Sequence, residues 1–242
     1  MEAFFEGQSG NWGYESLKNF RQISPSVQKH LKLVYLTLCS ALVASAAGVY
    51  LHILFNVGGI ITTLACFVGI IFVMNTPPSE NRKRLGYLMA ASVLEGASIG
   101  PLFEVILDFD PRILVMGFVG TSLGFACFSG AAIVSKRREF LYLGGLLSAG
   151  FSILFWLRFA SYIFGASASM FNVELYLGLL IFLGYIVFDT QEIIEKAHHG
   201  DLDYVKHALT LFTDFVAVLV RILIIMVKNS EKKRENKRKK RS

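Results

Sequence analysis

The sequence predicts an all-α integral membrane protein: a seven-helix bundle of six clear spans plus a polar seventh helix that either crosses or re-enters. Three observations predict it. Of 242 residues, 54% are apolar and 17% charged, with a mean hydropathy of +0.52. That balance excludes a disordered chain and disfavours a soluble domain. Six apolar runs approach the roughly 20 residues that a spanning helix needs, with few charges inside them. The runs are also rich in small residues, which let helices approach closely in lipid.

The elements follow in order. Residues 1–32 form an N-terminal segment without the apolar stretch of a cleavable signal peptide. The bundle occupies residues 33–227. Its runs are Leu33–Phe55, Val57–Met74, Leu85–Leu107, Ile113–Val134, Phe140–Phe164 and Phe171–Ile194. Pro77 and Pro78 stop the second run, because proline cannot continue a helix. Asp108, Asp110 and Pro111 divide the third from the fourth. The seventh run, Val205–Val227, carries Asp214 and Arg221 inside it and is the least lipid-like. Gly96/Gly100 and Gly120/Gly124 have the G-x-x-x-G spacing of close helix packing. Cys39, Cys66 and Cys127 lie in apolar runs and read as packing residues.

Charge is unevenly placed. Residues 228–242 hold nine Lys/Arg against Glu231 and Glu235, a net of +7, which leaves the body at −1 out of the total of +6. The basic balance therefore belongs to a tail and gives no reason to expect nucleic acid. Lys18, Arg21, Lys29 and Lys32, Arg82 to Arg84, Lys136 to Arg138, and Lys196 with Lys206 fall on one side of a seven-span chain, twelve charges against Arg112 on the other. The excess places that side in the cytosol. Seven full crossings would then send the basic tail to the far side. Either the seventh helix re-enters, or the tail tolerates the far side, or the whole orientation is inverted; a cytosolic tail is favoured by Lys239-Lys240-Arg241-Ser242, which resembles a dilysine retrieval signal of endoplasmic-reticulum membrane proteins.

Ionisable residues at membrane depth point to function. Asp189 lies nine residues before His198, and Asp214 ten after Tyr204. At 1.5 Å per residue both sit roughly 14 Å from the loop, so antiparallel helices bring them to one depth. Two carboxylates in a low dielectric cannot both ionise freely and titrate as a unit. Such a pair can share a proton in acid, and repel or hold a cation at higher pH: a pH-sensitive latch. Glu95 at mid-depth, with Glu104 and Glu174 toward the opposite face, would extend this into a cation path suited to calcium. The same acids also read as markers of the membrane interface. Arg84, with Arg82 as alternative, is the candidate latch partner, because Arg221 lies about 10 Å along the helix from Asp214. No metal is expected to be fixed, only transient Ca²⁺ near Asp189 and Asp214. Cofactor and catalytic motifs are lacking, including P-loop, H-E-x-x-H and G-x-S-x-G, so an enzyme is not expected.

Several segments resemble the transmembrane Bax inhibitor motif family. They are Leu17–Pro25, Leu94–Pro101, Gly117–Thr121, Phe188–Ile194, His198–Asp201 and Ala208–Leu223. The resemblance covers nearly the whole chain. It implies a seven-helix protein of the endoplasmic-reticulum membrane that suppresses programmed and stress-induced cell death. It also implies a pH-sensitive calcium leak in which an aspartate pair, falling on Asp189 and Asp214, controls closure with an arginine partner among Arg82 and Arg84. Partners implied are the lipid bilayer, calmodulin at the basic tail, and other endoplasmic-reticulum membrane proteins. A calmodulin site would need to borrow Leu223–Val227 as apolar anchors. A non-conducting adaptor acting through its tail is the competing class.

Overall fold

A computed structural model describes residues 23–135, 140–165 and 168–239. Leu17–Arg21 of the family-like segments, the basic Lys136–Arg138 and Lys240 lie outside the described residues. Among the described residues seven α-helices follow in order: α1 Pro25–Phe55, α2 Ile60–Asn75, α3 Asn81–Phe109, α4 Arg112–Val134, α5 Leu143–Phe164, α6 Ala168–His198 and α7 Tyr204–Lys239. A single 3-10 turn, Pro78–Glu80, precedes α3. Among the described residues there are no strands.

Local chemistry sets the ends. Ser24 caps α1, its hydroxyl accepting from the Val27 N–H at 3.4 Å, with Pro25 in the first turn. The helix therefore starts within the segment read from sequence as preceding the bundle. Asn56 ends it in the left-handed conformation (φ 51°), which asparagine tolerates better than most residues. Pro101 sits inside α3 without ending it, as transmembrane helices allow.

Two expectations about the spans change. The weak member is α2, not α7. At 16 residues α2 extends about 24 Å, short of a hydrocarbon core of about 30 Å. The six helices long and apolar enough to cross are α1 and α3 to α7. The seventh segment is one unbroken helix of 36 residues, so it does not re-enter, and most of the basic segment continues it. Sequence underrated α7 because Asp214 and Arg221 interrupt its hydropathy. In the bundle they turn away from lipid, and α7 is the most enclosed span, 44% of its apolar window buried against 11–33% elsewhere. It packs against α1, α4 and α6 through Leu211, Val218 and Leu223. The outward faces carry large apolar side chains such as Ile60, Ile61, Met116 and Tyr162, as lipid contact requires.

The closest packing joins α1 to α3. A Cβ on Gly96 would strike the Ser45 carbonyl, and one on Gly48 the Val93 carbonyl, so the two backbones approach as only glycine permits. Gly120 and Gly124 face open space, and their spacing marks no helix contact. Gly96→Val is accordingly expected to lower stability by about 2 kcal/mol, by forcing apart a packed backbone contact. Gly120→Ala should leave it unchanged. Denaturant titration in detergent micelles separates the two, and equal stabilities would contradict the close approach.

One consequence concerns sidedness. Arg84 stands at the start of α3 beside the α6–α7 loop, whereas Arg234 of α7 donates to the Phe109 carbonyl at the end of α3 (3.2 Å) and covers the Phe109 ring at 3.9 Å. The α6–α7 loop and the basic segment therefore lie at opposite ends of the bundle, here called the loop end and the tail end. A cytosolic tail and a cytosolic α6–α7 loop exclude each other. With the nine basic residues from Lys228 onward counted beside Arg112, the sequence gives ten against twelve for the loop end, so the charge excess no longer orients the chain.

Candidate functional site: a buried carboxyl pair and its surroundings

The α6–α7 turn closes on Gly200, whose φ of +92° suits glycine, and Asp203 then caps α7 by accepting from the Lys206 N–H at 3.1 Å. This short connection makes α6 and α7 antiparallel neighbours and fixes their register. Asp189 and Asp214 consequently come together as a carboxyl pair between α6 and α7, 8% and 4% exposed. Two carboxyl groups can share a hydrogen bond only when one of them holds a proton. The second Asp214 oxygen, Oδ2, is buried with no partner. An unsatisfied carboxylate oxygen is costly in an apolar interior.

A polar layer flanks the pair on α6. Thr190 and Ser129 hydroxyls lie 3.1 Å apart, and Tyr35 of α1 bonds Ser129, linking three helices. Gln191 accepts from the Phe140 N–H at 2.7 Å and donates to Ser135 Oγ at 2.6 Å. This layer holds the loop end of α6 rigidly to α4 and α1.

The other predicted acids are not gathered at the pair. Glu95 is half-buried on α3 and accepts from the Cys66 thiol at 3.3 Å. It lines a cavity of about 330 Å³ between α2, α3 and α7, together with Thr213 and Arg221. Thr213 precedes Asp214, so the cavity adjoins the pair without containing it. Glu104 is largely exposed toward the tail end, 3.4 Å from His52. Glu174, also toward that end, pairs with Arg158 at 3.3 Å.

The proposed arginine partner is corrected. Arg84 is buried, yet its Nη2 bonds Asp203 at 2.7 Å and its Nε donates to the Val73 carbonyl at 3.1 Å. Asp203 in the loop, rather than Asp189 or Asp214, receives it. Arg82 is exposed on the neighbouring turn. The reason is reach: Arg84 stands at the loop end, while the pair lies some 14 Å deeper. Burial works to raise the Asp203 pKa, but the Arg84 hydrogen bond, the Lys206 N–H and the charges of Arg84 and His207 outweigh it and hold it below the ordinary aspartate value. Arg221 turns away from Asp214, lies 4.3 Å over the Phe182 ring and donates to the Ala217 carbonyl at 2.9 Å.

Sequence reasoning missed Asp203 and a buried histidine pair, His30 Nε2 to His207 Nδ1 at 2.8 Å, which ties α1 to α7 beside the same loop. Asp203 carried a readable signal, an aspartate just before an apolar helical run. Its partner lies 119 positions away and carried none. For the tail, Leu223 is fully buried and Val227 packs against the core, so the apolar anchors a calmodulin site would borrow are already committed to the bundle. Lys239 belongs to α7.

These features define a class: a multi-pass helical membrane protein with a carboxyl pair buried between its last two helices. The family model for the inhibitor of apoptosis-promoting Bax1 matches residues 27–231. Bax inhibitor 1 of Oryza sativa subsp. japonica is 64% identical over 100% of both chains, and that of Arabidopsis thaliana is 65% identical over 96% of this chain and 95% of its own. The human Bax inhibitor 1 is 38% identical over 93% and 96%. The chain belongs to the Bax inhibitor family of membrane-embedded cell-death inhibitors.

Proposed function

We propose that this chain acts in the endoplasmic-reticulum membrane as a pH-sensitive calcium leak, gated by Asp189 and Asp214, and that lowered store calcium is how it suppresses programmed and stress-induced cell death. The observation that carries the reading is the buried carboxyl pair with one oxygen of Asp214 left without a partner. A shared proton fastens α6 to α7. Loss of that proton leaves two like charges in a low-dielectric site, which either part or bind a cation. Glu104 and Glu174 at the tail end and Glu95 in the adjoining cavity supply further oxygen ligands for a hard, transient cation. The test is calcium efflux from liposomes holding the purified chain, measured across pH for the wild type and Asp214→Asn.

Location follows from sidedness. A dilysine-like Lys239-Lys240 can be read by a cytosolic receptor only if the tail end is cytosolic. The α6–α7 loop then faces the lumen. Trypsin added to intact microsomes is expected to remove an epitope fused after Ser242 and to spare one inserted at Gly200. The reverse pattern would sink this orientation.

A second reading, the non-conducting adaptor, is favoured by one observation: Lys232 and Lys233 are exposed on a helix that leaves the bundle. Their partner would be an acidic protein such as calmodulin or another endoplasmic-reticulum membrane protein. Lys232→Gln/Lys233→Gln, which leaves Lys239-Lys240 in place, separates the classes, since an adaptor loses protection with flux intact, and a leak keeps both.

A further inference from the structure

At the tail end a lateral groove of about 310 Å³ runs between α3, α6 and α7. Its walls are Leu102, Val105, Phe171, Ile224 and Val227, and it finishes at Lys228. Val105 is 60% exposed and Phe171 38%, so the groove opens toward lipid rather than into the bundle. Lys228 is the first charge after the apolar stretch of α7, which puts it where hydrocarbon gives way to headgroups. It is half-buried, donates to the Asn172 side chain, and lies 5.4 Å from the Phe171 ring centre. Among the described residues it forms no ion pair, although Glu231 stands one turn on at the rim. An ammonium kept half out of water without an anion is an open site for one.

We infer that this groove binds an anionic phospholipid of the tail-end leaflet, with an acyl chain along the Val105–Phe171–Val227 walls and the phosphate at Lys228. Charge and shape select this occupant together. The walls offer nothing polar to a soluble anion, and the lysine offers nothing to a neutral chain. Arg234 adds positive field on the same end of α7 and is held in place by its bond to the Phe109 carbonyl. Basic sites between helix ends are suited to such headgroups. This lipid would seal α3 and α6 against the end of α7, the helix that carries Asp214.

The purified full-length chain in dodecylmaltoside micelles, titrated with phosphatidylserine or phosphatidylcholine and read by native mass spectrometry and thermal unfolding, tests the site. Phosphatidylserine adducts are expected to outlast phosphatidylcholine adducts and to raise Tm. Lys228→Gln removes one interfacial charge and should weaken phosphatidylserine binding about fivefold. Val105→Trp, at an exposed position, fills the groove and should weaken it comparably. Phe171→Ala removes a wall and serves the same purpose if the tryptophan variant fails to fold. Lys232→Gln/Lys233→Gln, outside the groove, should change it by less than about twofold, as exposed charges do. Equal binding of the two lipids overturns the proposal. So does a loss from the Lys232/Lys233 variant as large as that from Lys228→Gln, which would mean a diffuse basic surface, or binding untouched by Val105→Trp and Phe171→Ala, which would mean a headgroup contact without a groove.

Discussion

Asp214→Asn is expected to flatten the pH dependence of calcium flux. Asparagine keeps the shape of the side chain and can still donate to Asp189, so α6 and α7 stay packed. What it removes is the shared proton, because an amide does not titrate. In the proposed latch, two carboxyls at 8% and 4% exposure would titrate as one unit, and their separation or closure would follow its protonation. With one partner neutral at every pH, repulsion between them vanishes. Flux from liposomes at about pH 5 and about pH 8 should then differ by less than about twofold, whereas the intact pair should show a larger dependence. Asp189→Asn should do the same, and the double variant should add little, since both substitutions remove one interaction. Glu80→Gln, which disturbs only the exposed pair with Lys83, should retain the wild-type profile. A wild-type profile in Asp214→Asn would end the latch reading while leaving the family assignment standing.

Arg84→Gln is expected to cause the largest loss of stability, about 3 kcal/mol, because it strands the buried Asp203 carboxylate without its cation. The Arg84 and Asp203 side chains are 2% and 10% exposed, so water cannot replace the lost partner. Arg84→Met with Asp203→Leu should recover much of the loss, since an apolar pair carries no stranded charge. Guanidinium unfolding in micelles, followed by circular dichroism, measures both. The pH dependence has a definite sign. Asp203 is held below its ordinary pKa, so its contribution is complete above about pH 4 and fades only as pH falls through its lower folded value. The Arg84–Asp203 bond thus stays closed throughout the neutral range. It fastens the loop end of α3 to the α6–α7 turn as a fixed clamp, and pH sensitivity near neutrality must come from elsewhere. A stability loss for Arg84→Gln that disappears at pH 6 would contradict this.

Much of the site was legible because helix geometry converts sequence spacing into depth. Asp189 and Asp214 lie at similar distances from one short turn, and an antiparallel hairpin leaves them little choice but to be neighbours. Glu95 reads from the sequence as a mid-depth acid, but its company does not. Cys66 from α2 and Arg221 from α7 reach the same cavity only because α2 is short and packs on α3, which no local pattern announces. The arginine shows the limit most clearly. Arg84 and Arg82 are adjacent basic residues at one helix start, two positions apart, and only the α3 packing angle decides that one is buried and the other exposed.

The sequence by itself determined the membrane, the number of helices and the depth of the carboxyls, because apolar run length, proline stops and the 1.5 Å rise per residue are local quantities. Even the charge asymmetry of a near-neutral body and a basic end was complete in the sequence. Tertiary structure decided which helix lies at the centre, that α7 runs unbroken to Lys239, that Arg84 belongs to Asp203, and that the basic segment leaves opposite the α6–α7 loop. These depend on contacts between residues tens to more than a hundred positions apart. In lipid such contacts are selected by packing shape and by the pairing of buried polar groups, since apolar helices gain nothing from one another that lipid tails would not give.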